Sequence, residues 1–168
     1  AIRRGPKQIL LKCRDPADEC RRIFNVANVL LKGSVPFNEI RITLQPQDVG
    51  ILYARKPFRD SDVFKNFLKD LGTLAPVTWL NEDYYSRTKV FEKSIKVQTV
   101  ASSKGLQYRV VFVMWADLFN PRSPADVDLQ QRFLYVAMTR ASEVLVITYS
   151  SANEFIERMA ASGDAVGK

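Results

Sequence analysis

The chain has 168 residues, 46% hydrophobic and 26% charged, enough for one domain with its own hydrophobic core. It contains no histidine, which excludes Ser-His and Cys-His nucleophile systems and most zinc sites. The net charge of +7 suits a polyanion, nucleic acid or nucleotide phosphate, although many basic domains bind neither.

Taken in chain order, "QILLKC" (8–13) is a short apolar strand. Residues 16–32 form a helix opened by the pair Asp15-Pro16 and stopped by Gly33. The stretch 33–47, punctuated by Pro36 and Pro46, reads as a loop or short excursion. "DVGILYA" (48–54) is a buried strand, and 60–71 a helix with Val63, Phe67, Leu68 and Leu71 on one face. "SIKVQTV" (94–100), "RVVFVMWA" (109–116) and "EVLVITY" (143–149) are strands, 127–141 and 152–161 helices, and the tail "ASGDAVGK" is expected to fray. Continuous rather than alternating apolarity suits parallel strands covered on both faces. The predicted fold class is therefore α/β, a doubly wound, mainly parallel sheet in one domain over 1–168. Ligands of such sheets gather at the carboxyl ends of the strands.

No apolar run reaches the roughly 18 residues a membrane helix needs. The start "AIRRGPKQILLKC" is too quickly charged for a secretory signal, so a cytoplasmic location without a membrane partner is expected. Cys13 and Cys20 lie seven apart without a CxxC and are expected to be free thiols in a reducing compartment.

Two clusters carry chemistry. On a helical wheel Leu129, Phe133 and Val136 share an arc, and Arg140 falls within it, just before a buried strand. Such an arginine either snorkels out to solvent or caps the last carbonyls of its helix, or else aims a permanently charged, bidentate donor at an anion in a cleft. Thr139 beside it orients the loop or simply packs. In the second cluster Ser102, Ser103, Lys104 and Gly105 form a turn between strands. It is either a plain polar loop or a cradle of N–H groups, hydroxyls and a lysine for phosphate or a nucleic-acid backbone. Gly105 permits positive φ or close backbone approach. "GDAVGK" (163–168) is one residue short of a P-loop and no hydroxyl residue follows, while Asp117 is a lone acid after its strand. The chain is not expected to bind and hydrolyse a nucleoside triphosphate alone.

At these clusters the sequence resembles the UvrD/Rep-type superfamily 1 DNA helicases. "TVASSKGLQYRVVFV", within 97–113, is similar to motif V, and "RFLYVAMTRASEVLVIT", within 130–149, to motif VI. "DVGILYARK" (48–56) resembles motif IV, and the likeness covers most of residues 1–155. It implies a RecA-like, P-loop NTPase-type second motor domain that lacks its own Walker A motif and belongs to a longer ATP-dependent DNA helicase. ATP with Mg2+ would be held mainly by the N-terminal RecA-like domain. By resemblance Arg140 is the catalytic arginine finger, and Arg140, Gln107, Gly105 and Arg55 form the ATP-binding set. Thr99, Ser102, Ser103 and Lys104 would contact single-stranded or duplex DNA during 3′–5′ translocation.

This chain departs from the pattern where the motif V histidine falls at Ala101 and the ribose-binding glutamate at Gln107, whose amide accepts without charge. The motif IV arginine falls at Ala54, with Arg55 one residue later, a slip that reverses side-chain direction on a strand. Only about forty residues stand between motifs IV and V, where larger relatives insert a helical subdomain; Tyr84 and Tyr85 there either stack on bases or pack. The alternative is a non-catalytic nucleic-acid-binding module of RecA-like fold. A small-molecule enzyme on the same sheet lacks any acid–base constellation here.

Overall fold

A strand that is apolar on both faces needs cover on both sides, and four helices among the described residues supply it. The computed structural model describes residues 6–33, 43–55, 62–80, 88–103, 105–119, 123–161 and 165–167. In order, the elements are β1 (Lys7–Lys12), α1 (Pro16–Lys32), β2 (Val49–Tyr53), α2 (Asp62–Gly72), β3 (Val77–Leu80) and β4 (Ile95–Thr99). They continue as β5 (Tyr108–Val113), α3 (Val127–Met138), β6 (Ala141–Tyr149), α4 (Glu154–Ala161) and β7 (Ala165–Gly167). The strands form one sheet in the order β3-β4-β2-β5-β6-β1-β7, and every pairing is parallel.

Alternation along the strands feeds two cores. Ile9, Ile51, Phe112 and Val146 face α1 and α2, with Ile23, Phe64 and Leu71. Leu10, Leu52, Val111 and Leu145 face α3 and α4, with Leu134, Ala137 and Ile156. This is the doubly wound arrangement that the apolar runs predict. Local signals set the helix limits. The Asp15 carboxylate accepts the Asp18 N–H at 2.7 Å, Pro16 opens α1, and Gly33 closes it at φ 61° with its N–H on the Val29 carbonyl. Gly50 of β2 is required by packing: a Cβ there would stand 2.4 Å from Cδ2 of the Tyr108 ring.

Several expectations need correction. The helix expected over 127–141 ends at Met138, because Thr139 turns its N–H onto the carbonyls of Ala137 and Tyr135 and Ala141 already pairs with Tyr108 in the sheet. Its buried stripe runs through Leu134 and Ala137; Phe133 and Val136 are half-buried on the shoulder, and Leu129 is exposed. The fourth helix starts at Glu154 rather than 152, where the Asn153 side chain accepts the Ile156 N–H. Residues 165–167 of the tail pair with β1 instead of fraying. β3, unforeseen, is a four-residue strand at one end of the sheet order, preceded by Pro76. Residues 34–42 of the expected loop lie outside the described residues, and 46–48 form a single 3-10 turn.

Cys13 and Cys20 are buried free thiols, pushed up to about 12 chiefly by that burial. No helix among the described residues is long and apolar enough to cross a membrane.

Candidate functional site

Arg140 stands between α3 and β6, at the amino end of the sheet. Its main chain is tied on both sides: its N–H donates to the Ala137 carbonyl at 3.2 Å, and its own carbonyl accepts the Tyr108 N–H at 2.9 Å. The half-buried guanidinium folds back over the helix end. Nε donates to the Val136 carbonyl at 3.2 Å, Nη1 to the Leu106 carbonyl at 3.5 Å and Nη2 to the Thr139 hydroxyl at 3.2 Å. Thr139 in turn donates to the Val136 carbonyl at 2.9 Å. So the cap and the anion reading are not exclusive. Of five guanidinium N–H groups, three are occupied among the described residues, which leaves one on each terminal nitrogen available to a bidentate anion. No carboxylate among the described residues pairs with it.

The main-chain bond between Arg140 and Tyr108 brings Gln107 to the same end of the sheet, where it is exposed. Gly105 also lies in this connection, at φ 81°, in a turn closed by the Leu106 N–H on the Ser103 carbonyl at 3.0 Å. That positive φ is the conformational reason for a glycine in the motif.

The other predicted residues gather at the carboxyl end. Thr99 closes β4 opposite Tyr53, and Ala101–Ser103 make a 3-10 turn directly after it. The Ser102 hydroxyl donates to the Thr99 carbonyl at 2.9 Å, and the Thr99 hydroxyl reaches Ser102 Oγ at 3.3 Å. Ser103 corrects an expectation: it is fully buried, with its hydroxyl on the Val100 carbonyl at 2.6 Å, and so closes the turn instead of offering a contact surface. Lys104 lies outside the described residues, as do Tyr84 and Tyr85.

Arg55, two residues beyond β2, shares a cavity of about 660 Å³ with Thr99, Ala101, Ser123, Gln130 and Phe133. The structure therefore groups Arg55 with Thr99 rather than with Arg140. Helix α3 runs from this cavity to Arg140, and ten residues separate Gln130 from Arg140, a rise of roughly 15 Å. Gln130 and Phe133 were not anticipated as cavity residues. Their signal is the half-buried shoulder of α3.

Also unanticipated is Glu19, wholly buried in the first turn of α1. Oε1 accepts the Trp115 N–H at 3.0 Å and the Thr148 hydroxyl at 2.9 Å, whereas Oε2 has no hydrogen-bond partner within reach among the described residues. Burial above all, with the nearby Asp117 charge adding to it, raises its pKa to about 7. Glu19 shares the i, i+4, i+7, i+11 stripe with Ile23, Val26 and Leu30, a spacing that marks an acid inside the core. Among the described residues no cluster of three acids or cysteines could hold a metal ion.

Comparison with known proteins places these residues in a wider setting. Residues 95–148 match the family model of the UvrD-like helicase C-terminal domain. Over 101 residues, 55% of this chain, the sequence is 33% identical to the ATP-dependent DNA helicase PcrA of Staphylococcus aureus (strain MRSA252); the match spans 13% of that protein. Over 63 residues, 38% of this chain, it is 40% identical to the RecBCD enzyme subunit RecB of Chlamydia muridarum, spanning 6% of that subunit. A solved C-terminal domain of a possible DNA helicase from Lactobacillus plantarum WCFS1 superposes on 98% of this chain and 87% of its own, with a TM-score of 0.60. At 15% identity that likeness is one of fold.

Proposed function

Residues 95–148 of this chain belong to the UvrD-like helicase C-terminal domain family, and from that premise we propose that the chain is the second motor domain of an ATP-dependent DNA helicase. In this reading Arg140 is lent to a triphosphate held by a neighbouring ATP-binding domain, and single-stranded DNA lies against the carboxyl end of the sheet.

The observation that carries the reading is the state of Arg140. Three acceptors hold its guanidinium in place, no carboxylate among the described residues neutralises it, and two N–H groups remain to bind phosphate oxygens. An arginine that only capped α3 would have no need of both terminal nitrogens spread between Leu106 and Thr139. Gln107, exposed at the same end, offers an amide to a ribose hydroxyl.

These groups fit one side of a nucleotide. In this reading Mg2+ is held mainly by the partner domain. The bound nucleotide supplies the phosphoryl bond whose cleavage drives the motor. This chain's part is to hold a preorganised positive charge where negative charge develops.

At the carboxyl end Thr99 and Ser102 offer hydroxyls and Arg55 a guanidinium beside the cavity, and Lys104, outside the described residues, adds a positive charge in this reading. Such contacts reach phosphate and sugar, so binding is independent of base sequence and weakens with salt. Translocation is 3′ to 5′ in this reading.

The test is Arg140→Ala in the full-length protein. DNA-stimulated ATP hydrolysis should fall by about 10³–10⁵-fold, while salt-dependent binding to labelled single-stranded DNA persists. Near-normal turnover would leave only a nucleic-acid-binding module.

A further inference from the structure

The geometry points to Gln98 and Tyr108 as positioning residues: a buried hydrogen-bonded strut that runs from the main chain of Arg140 across β2 to the Ser102 hydroxyl and aims its proton at the DNA backbone. The inference rests on the proposed function for its DNA partner, but the strut itself is drawn from contacts.

The strut starts at the amino end of the sheet. The Tyr108 N–H donates to the Arg140 carbonyl at 2.9 Å. Its ring lies over Gly50, the residue of β2 where any Cβ would collide with it. Because β2 separates β5 from β4, this bare patch is what lets the ring pass over the intervening strand. Beyond it the Tyr108 hydroxyl donates to Gln98 Oε1 at 2.5 Å. Gln98, wholly buried, donates its Nε2 to Ser102 Oγ at 3.3 Å, and Ser102 donates to the Thr99 carbonyl at 2.9 Å.

From the Tyr108 hydroxyl onward the bonds all point the same way, whereas the Tyr108 N–H donates in the other direction, to Arg140. Tyrosine gives its proton to the amide oxygen, the amide gives one to the serine oxygen, and the serine proton lies at the far end. Aligned donors in a low-dielectric interior polarise one another, so the Ser102 hydroxyl is made a better donor than an isolated serine. The Thr99 carbonyl holds that proton at rest, and a phosphate oxygen arriving at the turn can take it over. Burial keeps the Tyr108 hydroxyl in its protonated form, as the donor role requires.

Packing alone does not account for the pair. A phenylalanine would fill the space of the Tyr108 ring without burying a hydroxyl, and an apolar residue would suit Gln98 in a strand covered on both faces. Both polar groups sit on a line of contacts that joins Arg140 to the 101–103 turn through the side chains of β5 and β4.

The test is a double-mutant cycle in this 168-residue chain with Tyr108→Phe, Gln98→Leu and the pair. Affinity for a labelled single-stranded oligonucleotide at fixed salt should fall about tenfold in each single variant and no further in the double. Thr148→Val, which removes a buried hydroxyl remote from the strut, should leave affinity unchanged. Amide exchange at Ser103 and Leu106, read without DNA, should accelerate in Tyr108→Phe and not in Thr148→Val. Additive affinity losses, an equal loss in Thr148→Val, or unchanged exchange at Ser103 and Leu106 would each overturn the strut. If the wild-type chain fails to bind the oligonucleotide yet those amides accelerate, the DNA reading falls and the strut stands.

Discussion

The Glu19 carboxyl accepts the main-chain N–H of Trp115 at 3.0 Å, which ties the first turn of α1 to the point where the chain leaves β5. Trp115 has a left-handed backbone there, at φ 54°, a conformation that a bulky residue adopts only when its surroundings impose it.

The carboxyl's pKa, raised from 4.5 to about 7, means that the folded chain holds this proton more tightly than the unfolded chain. The stability tied to the neutral form is complete below about pH 4.5 and is lost as pH rises through 7. The sequence has no histidine to mask that window. Urea denaturation from pH 5 to pH 8 should show a loss of about 3 kcal/mol, and Glu19→Gln should flatten the slope.

Gly50→Ala should be the most damaging conservative change in β2. A methyl 2.4 Å from the Tyr108 ring forces the ring out of its place, at a cost of about 1–3 kcal/mol by denaturant titration. Because that ring leads to Gln98, the same variant should also weaken single-stranded DNA binding.

Asp15→Ala removes the acceptor of the Asp18 N–H at the head of α1. It should cost about 1 kcal/mol of stability by denaturant titration. Asp15 lies outside the proposed contacts, so oligonucleotide affinity should not change.

Arg140→Lys separates charge from geometry. An ammonium keeps the charge but cannot span Val136, Leu106 and Thr139 while presenting two further N–H groups. In the full-length protein DNA-stimulated ATP hydrolysis should remain about 10³-fold below wild type, near the alanine variant.

Much of the fold is legible in the sequence because its central strands are covered on both faces. Val110 to Val113 alternate between two cores, and both cores demand apolar side chains, so the run reads without interruption. α1 is legible to the residue because Asp15, Pro16 and Gly33 act locally. β3 and β7 are not, because short strands of four and three residues owe their existence to neighbours distant in sequence, Ile95 to Gln98 and Gln8 to Leu10. The placement of Arg55 failed for a similar reason. Which end of a parallel sheet a residue occupies is set by pairing, and β2 carries Arg55 to the end opposite Arg140. The polar core position of Glu19 likewise depends on contacts across the chain, although the stripe of α1 hints at it.

In the proposed motor, the span of α3 would act as a lever. Its rigid rise of roughly 15 Å separates Arg140 from the cavity lined by Thr99 and Arg55. A pivot of about 10° around the arginine would swing the far end by about 3 Å, close to the 3.4 Å between successive bases of a B-form strand. In the proposed motor, a tilt of that size would shift a strand held at the cavity by about one nucleotide.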